Sequence, residues 1–378
     1  MKVSLFRNLL DTPDIPVAWE GVLRAQTWWQ AMAQCPQDVI HHGEGDVATH
    51  TRLVMEAMQA DPNWQALPLE ERGLLLLTAL LHDIGKPDTT REEEGRITAR
   101  GHAGRGEVMA RRLLWEAEDI PFATREAVCA LIRFHQHPFW LIEREDARYQ
   151  AIRIAQSARC DHLALLAEAD GRGRICEDQD ALLLRVACFR EYCDEQRCLT
   201  SPYPFASDHS RFLYFRAEGM RDPGYHAYEE TDAPELILLS GLPGMGKDTY
   251  IRQHLSSLPV VSLDAIRTEL KIDWTDNQEP VLDVAREQTR VYLRRRESVV
   301  WNATNLSREL RGKRVRFADD YRARVRIVYV EAPAGVQRRQ NRMRPERVPE
   351  SAMDRMFRQW QIPDLTEAHA IDWRIRRP

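Results

Sequence analysis

The longest apolar stretch of this sequence, residues 74–81, runs directly into His82 and Asp83. Both side chains are metal ligands by type, but adjacent residues on a helix do not face the same way. A shared site therefore requires a bent helix end and partners from other helices. Imidazole and carboxylate groups together suit divalent transition metals, and a pair of such ions can activate water and hold a phosphoryl group. The candidate partners at helical positions are His50, His102, His135, His137 and Asp170.

A glycine-rich loop in the second half of the chain has the spacing of a phosphate cradle. Residues 235–239 are apolar, and Gly241, Gly246 and Lys247 then match the pattern G-x-x-x-x-G-K. Glycines allow successive backbone N–H groups to turn toward phosphate oxygens at a helix N-terminus, and Lys247 is expected to reach the β- and γ-phosphates. The predicted nucleotide-binding residues are Gly241, Leu242, Pro243, Gly244, Met245, Gly246, Lys247, Asp248 and Thr249.

The loop departs from the usual pattern at Asp248, where Ser or Thr normally binds Mg²⁺. A carboxylate is also a hard oxygen ligand, so Asp248 can take the metal role itself or through water. The alternative is a degenerate loop that no longer binds nucleotide. A strand pattern before the loop and a helical pattern after it favour binding, and the expected cofactor is ATP or another NTP with Mg²⁺.

A second strand-like segment, residues 260–263, is followed by Asp264. A carboxylate at the carboxyl end of a strand beside a phosphate loop can accept the proton of an attacking hydroxyl group. Arg267, one helical turn later, is then placed to bind a phosphate of the acceptor. The alternative is that Asp264 only caps the following helix. Arg338 and Arg342 share one face of a later helix, which is either a solvated surface or a lid over the transferred phosphoryl group.

The two halves of the chain have different periodicities, which predict two domains. Predicted helices cover residues 49–58, 70–81, 104–115, 124–134 and 151–170. Predicted strands cover residues 236–239, 260–263, 298–301 and 325–330, with helical patterns between them. We therefore predict an all-α domain over residues 1–230, including a connector at 199–228, and an α/β domain with a parallel sheet over residues 231–378.

Composition adds few constraints. The 378 residues are 43% hydrophobic and 29% charged, and the seven cysteines form no C-x-x-C pair, so neither a disulfide framework nor a zinc ribbon is implied. The net charge is −5, but residues 286–326 contain 13 Lys and Arg against 5 Asp and Glu, which suits either a polyanionic partner or a solvated helix face. The first residues lack a signal-peptide pattern and no apolar stretch is long enough for a bilayer, so we expect a cytoplasmic protein without a membrane partner.

The arrangement of strand, Asp264 and Arg267 after a phosphate loop resembles the acceptor site of the polynucleotide 5′-kinase family. The resemblance implies that Asp264 is the general base, that Arg267 binds the phosphate next to the 5′-hydroxyl group, and that Arg338 and Arg342 belong to a lid. Residues 299–305 resemble the third strand of that family and its Thr-Asn ending. An acidic Walker-B run is absent after this strand, which argues against a motor ATPase.

The histidine and aspartate residues occur in an order that resembles the HD phosphohydrolase superfamily, especially the HD domain appended to bacterial tRNA nucleotidyltransferases. The resemblance covers residues 40–175 and includes the motif His-Asp-Ile-Gly-Lys at residues 82–86. It implies one or two divalent transition metal ions, such as Mn²⁺. The implied ligands are His50, His82, Asp83 and Asp170, with His102 and either His135 or His137 for a second ion.

The spacing does not choose between His135 and His137, and we take His135 as the ligand. Lys86, Arg172 and Arg174 are candidates for contact with a substrate phosphate, although each could equally be a surface charge.

The order of HD domain, connector and P-loop kinase resembles bacterial RNA end-healing enzymes. That resemblance implies a 5′-hydroxyl polynucleotide kinase joined to a 2′-phosphatase or 2′,3′-cyclic phosphodiesterase, with RNA ends (and possibly DNA ends) as substrates and a functional link to an RNA ligase. One alternative is an HD nucleotidase fused to a small-molecule nucleoside or nucleotide kinase, against which the basic segment speaks mildly. The other is a nucleotide-sensing regulator, against which the complete ligand set argues.

Overall fold

Apolar residues at helical spacing build the first of two compact units, Met1–Pro204, and the second unit is Phe205–Pro378. The structure is a computed structural model that describes residues 4–14, 20–344 and 347–376. The predicted fold class, a helical domain followed by an α/β domain with a parallel sheet, is confirmed.

The first unit is helical apart from one short hairpin. Its elements are α1 (Leu5–Asp11), α2 (Glu20–Arg24), α3 (Thr27–Ala33), α4 (Val47–Ala60), α5 (Pro62–Gln65), α6 (Leu69–Leu81), α7 (Lys86–Thr89), β1 (Arg91–Glu93), β2 (Arg96–Thr98), α8 (His102–Ala117), α9 (Phe122–Phe134), two 3₁₀ turns (His137–Phe139 and Leu141–Glu143), α10 (Ala147–Ala155), α11 (Cys160–Gly173) and α12 (Gln179–Glu195). The single helix predicted over residues 151–170 is therefore wrong. A turn at residues 156–159 separates α10 from α11, and the apolar pattern continues across it.

Helix α6 forms the centre of the first unit. Every residue from 75 to 81 is buried, because a helix that is apolar on all sides must be surrounded by other elements. Helices α4, α9 and α11 pack around it. Asp46 caps α4 by accepting a hydrogen bond from the backbone N–H of Thr49 at 2.9 Å. The ends of these helices carry most of the residues predicted to bind metal.

Gly85 allows α8 to begin close to the end of α6. A Cβ atom at this position would lie 2.2 Å from the carbonyl oxygen of His102 and 2.6 Å from the backbone nitrogen of Gly106. Its φ angle of −81° is open to any residue, so the close approach, rather than the backbone conformation, requires glycine here.

The second unit is a parallel sheet with helices on both faces. Its elements are α13 (Asp208–Arg216), β3 (Glu235–Ser240), α14 (Lys247–His254), β4 (Val260–Ser262), α15 (Leu263–Leu270), α16 (Glu279–Arg294), β5 (Val299–Asn302), α17 (Arg308–Asp319), β6 (Arg324–Glu331), α18 (Ala334–Met343), α19 (Glu350–Arg358) and β7 (Ala370–Ile375). The strand order is β4-β5-β3-β6-β7, and every pairing is parallel.

The central strand β3 carries the glycine-rich loop at its carboxyl end. Leu236 and Leu238 belong to the core on one face of the sheet, and Ile237 and Leu239 belong to the core on the other face. Because β3 is covered on both faces, it is a continuous apolar run, as is typical of parallel sheets. The strand-to-helix connections place the loop where open α/β sheets bind ligands.

The segment predicted as a connector contains helix α13, which belongs to the second unit. Phe212 is buried in the core beside Leu236 and Leu238. The second unit consequently starts ahead of residue 230, the position where the periodicity changes. Within the described ranges, no helix has the length and apolarity needed to cross a membrane.

We predict that Gly85→Ala lowers the free energy of unfolding by about 1–3 kcal/mol, the usual cost of overpacking. The added methyl group would meet backbone atoms of α8, which cannot rotate away as a flexible side chain can. Urea unfolding measures the change. Gly104→Ala is the matched control, because no atom of the described chain lies within 4 Å of a Cβ there, and a gain of about 0.5–1 kcal/mol is expected from helix propensity. Equal stability of the two variants would contradict the close approach.

Candidate functional site

The six side chains predicted to bind metal converge in the interior of the first unit. His50 comes from α4, His102 from the first residue of α8, and Asp170 from α11, whereas the other three follow the last residues of α6 and α9. All six are buried. The set is His50, His82, Asp83, His102, His135 and Asp170.

Asp83 lies at the centre of this cluster and divides it into two groups. Its Oδ1 atom lies 3.3 Å from Nε2 of His102 and 3.7 Å from Nε2 of His135. Its Oδ2 atom lies 3.3 Å from Nε2 of His82 and 3.8 Å from Nε2 of His50. His50 Nε2 is also 3.2 Å from Asp170 Oδ1. One carboxylate therefore faces two sets of nitrogen ligands, as a carboxylate shared by two cations would.

The backbone fixes the orientation of three of the imidazole rings in the same way. Nδ1 of His82, His102 and His135 lies 2.7–2.8 Å from the carbonyl oxygen of the residue three positions earlier. A carbonyl oxygen can only accept, so Nδ1 carries the proton and Nε2 presents its lone pair to the centre. Such outer partners set the tautomer of metal-binding histidines.

A carboxylate performs this role for the fourth ring. Glu44 Oε1 lies 2.7 Å from Nδ1 of His50 and 2.8 Å from Nδ1 of His42. Ile175 donates its backbone N–H to Glu44 Oε2 at 2.9 Å. Burial raises the pKa of Glu44, but the bonds from the two imidazoles and the backbone outweigh it and hold that pKa well below its usual value. The sequence analysis missed Glu44, because it lies in an irregular segment before α4.

The donor atoms fit a divalent transition metal. Among the described residues, His50 Nε2, His82 Nε2 and Asp83 Oδ1 are buried without a partner in hydrogen-bonding geometry. An unsatisfied buried polar atom costs about 1–3 kcal/mol, so three of them at one point favour a bound metal ion there. Neutral imidazole nitrogens combined with carboxylate oxygens suit Mn²⁺, Fe²⁺ or Zn²⁺.

Two buried cations stabilise the two aspartates of the centre. Lys86 Nζ lies 2.7 Å from Asp83 Oδ2, and Arg174 donates to both oxygens of Asp170 at 2.9 Å. Burial alone would raise the pKa of each aspartate. Lys86 and the imidazoles around Asp83, and Arg174 beside Asp170, instead lower both pKa values well below the usual one. Arg172 is directed away and pairs with Asp61 at 3.2 Å.

Of the two alternatives at the end of α9, the structure brings His135 into the cluster. Its Nε2 lies 3.2 Å from Nε2 of His102. His137 starts the following 3₁₀ turn and packs edge-on against the ring of Phe134 at 5.2 Å. Burial lowers the pKa of His135 to about 3 and that of His137 to about 4, so both rings are neutral near pH 7.

The glycine-rich loop of the second unit uses backbone conformations that favour glycine. Gly241, Gly244 and Gly246 have φ angles of 143°, 79° and 95°. A Cβ atom at Gly241 would also lie 2.4 Å from the carbonyl oxygen of Val330. The loop therefore wraps tightly before α14 begins at Lys247.

Other residues of the loop anchor it to neighbouring elements. Leu242 and Met245 are buried, and Pro243 accepts a hydrogen bond from Gln337 of α18 at 2.8 Å. Gly241 donates its N–H to the carbonyl oxygen of Thr304 at 3.0 Å. Asn305 donates from Nδ2 to the carbonyl oxygen of Leu239 at 2.7 Å. Thr304 and Asn305 thus hold the loop rather than a ligand.

Lys247 is half-buried and directed into the curve of the loop. Its Nζ donates to the carbonyl oxygens of Gly241 and Leu242 at 2.8 and 3.1 Å. Burial lowers its pKa to about 8, and the carboxylates of Asp248 and Asp264 only partly offset that effect. A nucleotide phosphate would replace the neutral carbonyl partners with an anionic one and favour the charged form.

Asp248 is exposed at the first turn of α14, close to the end of β5. Asn302 donates from Nδ2 to Asp248 Oδ1 at 2.8 Å, which holds the carboxylate in place and leaves Oδ2 for another ligand. Thr249 is also exposed and accepts a hydrogen bond from Arg252 at 3.1 Å. The expected position of a magnesium ligand is therefore occupied by an oriented carboxylate.

Asp264 faces two arginines and does not cap its helix. The hydroxyl of Ser262 accepts from the backbone of Ala265 and is the N-cap of α15. The Asp264 carboxylate is 72% exposed, pairs with Arg267, and lies 3.7 Å from Arg344. The sequence analysis gave Arg344 no separate role, because it lies in an arginine-rich run where only the fold reveals which guanidinium turns toward Asp264.

Arg338 and Arg342 are exposed on α18. Their neighbours Gln337 and Asn341 are buried on the side of the helix that contacts the loop. The two arginines are therefore attached to a helix that is fixed against the phosphate loop.

Three buried thiols, to which the sequence pattern assigned no role, also meet in the first unit. The sulfur atoms of Cys160, Cys193 and Cys198 lie within 4.8 Å of one another. Cys198 donates its N–H to the carbonyl oxygen of Cys193, and the intervening Arg197 has a φ of 55°, which together form a Schellman motif at the end of α12. That motif normally pairs apolar residues at these two positions, so packing explains the contact.

Comparison with known families matches each unit separately. Residues 46–187 match the family model described as HD domain, and residues 236–363 match the one described as AAA domain. The chain is a fusion of an HD phosphohydrolase domain and a P-loop kinase-like domain. HD domains bind divalent metals, which agrees with the buried cluster of histidines and aspartates in the first unit. P-loop kinases use an NTP with Mg²⁺, which agrees with the glycine-rich loop and the oriented carboxylate of Asp248 in the second unit.

Individual relatives of this fusion are distant. A multifunctional CCA protein from Halorhodospira halophila is 34% identical over 113 residues, which are 30% of this chain and 25% of that protein. The chain thus spans about a quarter of the length of that curated relative. A solved structure from Chloroflexus aurantiacus, described as a "putative kinase", is 16% identical with a TM-score of 0.32, over 39% of this chain and 87% of that one. So low a score supports no structural argument.

We predict that His135→Ala weakens Mn²⁺ binding to the HD domain at least about tenfold, because it removes one buried nitrogen ligand. His137→Ala is the matched control, since it removes a half-buried imidazole two residues further along without touching the cluster. Binding is measured by the rise of the thermal unfolding midpoint with Mn²⁺ concentration. In the wild type, Mn²⁺ at a hundred times its Kd is expected to add about 2.7 kcal/mol. Equal losses in both variants would contradict the assignment of His135.

Proposed function

We propose that the protein repairs broken nucleic-acid ends. The P-loop domain phosphorylates a 5′-hydroxyl end with an NTP and Mg²⁺, and the HD domain removes a 2′-phosphate or opens a 2′,3′-cyclic phosphate on RNA. The observation that carries the proposal is that one chain contains two arrangements for handling phosphate, one hydrolytic in type and one for phosphoryl transfer. Opening the cyclic phosphate breaks one P–O bond and leaves a 2′-phosphate, and hydrolysis of that monoester releases inorganic phosphate and leaves a hydroxyl end. A 5′-phosphate and a hydroxyl end are the substrates of a ligase.

The kinase reaction can be assigned to residues at the carboxyl edge of the sheet. The oxygen of the 5′-hydroxyl group forms a bond to the γ-phosphorus, the bond from that phosphorus to the β-phosphate oxygen breaks, and the hydroxyl proton passes to the Asp264 carboxylate. Lys247 leaves its two carbonyl partners to bind the β- and γ-phosphates. We assign Arg338 and Arg342 to the transferring group because they lie on α18, the helix that contacts the phosphate loop through Gln337 and Asn341.

The pair of arginines beside Asp264 favours an acceptor that carries a phosphate near its hydroxyl group. Arg267 is held by Gln278 through Nε at 2.7 Å, and Arg344 approaches from the end of α18. A polynucleotide 5′ end supplies this phosphate as its first internucleotide linkage, whereas a free nucleoside has none. This difference, rather than overall charge, supports a polynucleotide acceptor.

The basic segment predicted to bind nucleic acid contributes less than its composition suggests. Arg311 is buried against Glu367, with 2.7 Å between Nε and Oε2, and Arg314 packs over the ring of Trp301. Arg286 and Arg290 pair with acidic residues of their own helix. Much of the local positive charge therefore supports the fold.

In the HD domain, the six histidine and aspartate side chains of the cluster would hold the metal ions. Ions held there would supply the chemistry of water activation and would neutralise charge on a phosphate ester. Lys86 lines the cavity of this site and pairs with Asp83, so its ammonium group can turn from that carboxylate to a substrate oxygen. Arg174 keeps Asp170 ionised and oriented, so that it remains a ligand over the pH range of the reaction.

We predict that the two activities can be removed independently. Lys247→Ala and Asp264→Asn should each reduce 5′ phosphorylation by about 10²-fold or more and leave phosphate removal unchanged. Asp83→Ala should do the reverse, because it removes the carboxylate on which both groups of imidazoles converge. Each activity is measured on labelled RNA. Glu269→Gln, an exposed acid on the same helix as Asp264, should retain both activities. Loss of both activities in every variant would contradict two independent sites.

A short RNA with a 5′-hydroxyl and a 2′,3′-cyclic phosphate end tests both halves in one reaction. With NTP, Mg²⁺ and Mn²⁺, we expect a 5′-phosphate and a product without the cyclic phosphate. A free nucleoside added as competitor should gain little phosphate, because it lacks the linkage that the arginines bind. Transfer to the nucleoside alone would instead support a small-molecule kinase and contradict the proposal. A DNA 5′ end is expected to serve as acceptor too, since the groups around Asp264 contact only hydroxyl and phosphate.

A further inference from the structure

The cavity above the HD metal ligands contains an exposed aromatic ring that phosphate chemistry does not require. The cavity has a volume of about 330 Å³, and His102, Lys86 and Arg174 belong to its wall. Trp140 lines the same cavity and is 48% exposed. An indole that is half in water lacks much of the favourable free energy that burial would give. This position therefore favours a ligand with a flat apolar surface.

The indole is held in place on the protein side. The guanidinium carbon of Arg185 lies 4.3 Å from the centroid of the Trp140 ring. Arg185 is itself fixed by Glu143, with 2.9 Å between NH2 and Oε1. The backbone of Trp140 joins two 3₁₀ turns, donates to His137 and accepts from Glu143. One side of the ring is thus covered by a cation, and the ring remains exposed elsewhere.

We propose that Trp140 is the platform on which the base of the terminal nucleotide stacks while its phosphate lies at the metal cluster. This inference rests on the proposed function of the HD domain and specifies it: the substrate is a nucleotide rather than any small phosphate ester. Stacking on an indole does not discriminate between bases, since every base has a π face. The guanidinium of Arg185 behind the indole strengthens the binding of the base. Gln136, which also lines the cavity, supplies amide groups for the edge of the base or for the ribose.

The test compares a nucleotide with a substrate that has the same ester but no base. Uridine 2′,3′-cyclic phosphate and glycerol 1,2-cyclic phosphate are hydrolysed by the full chain loaded with Mn²⁺. For Trp140→Ala we expect KM for the uridine ester to rise about 5- to 150-fold, the usual worth of one base–aromatic stack, with kcat nearly unchanged. The kinetics of the glycerol ester should not change, and Trp140→Phe should restore most of the affinity.

Trp274→Ala is the matched control. Trp274 is also 48% exposed and has Arg355 over its ring at 5.8 Å, but it belongs to the P-loop domain. Its removal should leave both hydrolytic reactions unchanged. Equal losses on the two esters in Trp140→Ala, or no change on either, would overturn the stacking platform.

Direct binding separates failure of this inference from failure of the proposed function. If the wild type hydrolyses neither ester, the proposed reaction is wrong. Equilibrium dialysis of labelled uridine 2′-monophosphate then still tests the platform, with at least about fivefold weaker binding expected for Trp140→Ala than for the wild type and for Trp274→Ala. Identical binding by all three proteins would overturn it.

Discussion

The arrangement of the HD domain follows from the burial of one carboxylate. Asp83 is almost completely removed from water, and an isolated charge in such a place would be prohibitively costly. The fold surrounds it with Lys86 and four imidazoles, each on a different helix end. The helices can meet only where these partners reach Asp83. The need to neutralise the buried carboxylate and the packing of α6 therefore require the same arrangement of helices.

In the P-loop domain, backbone groups rather than a buried carboxylate determine the arrangement of the ligand site. Its ligand site lies where the parallel strands end, and the strand order places β3 between β5 and β6. Asp264, just after β4, and Asn302, the last residue of β5, therefore lie on the same edge as the loop. Backbone amides bind phosphate without a charge of their own, whereas the HD site depends on buried carboxylates and imidazoles.

The structural features that could be predicted from the sequence are those that depend on residue type and on the spacing of apolar residues. The apolar periods predicted the four helices α4, α6, α8 and α9 around the metal cluster and four strands of the parallel sheet. Strand β7 was missed because charged and polar residues interrupt its apolar ones. The six candidate ligands were chosen by type and order, and the fold brings them together. Glu44, Arg344 and Trp140 were not found, because their roles depend on neighbours remote in sequence. The break between α10 and α11 was missed because apolar spacing continues through it.

The contact between His50 and Asp170 joins helices that are far apart in sequence, and it has consequences for how the domain forms. The rings of His82, His102 and His135 can orient early, since the Nδ1 partner of each is the carbonyl oxygen three residues before it. The cluster itself closes only when α11 docks against α4, after most of the loop-closure entropy has been lost. Because its ligands come together last, a metal ion is expected to bind a fold that is already nearly complete and to slow the reopening of α11.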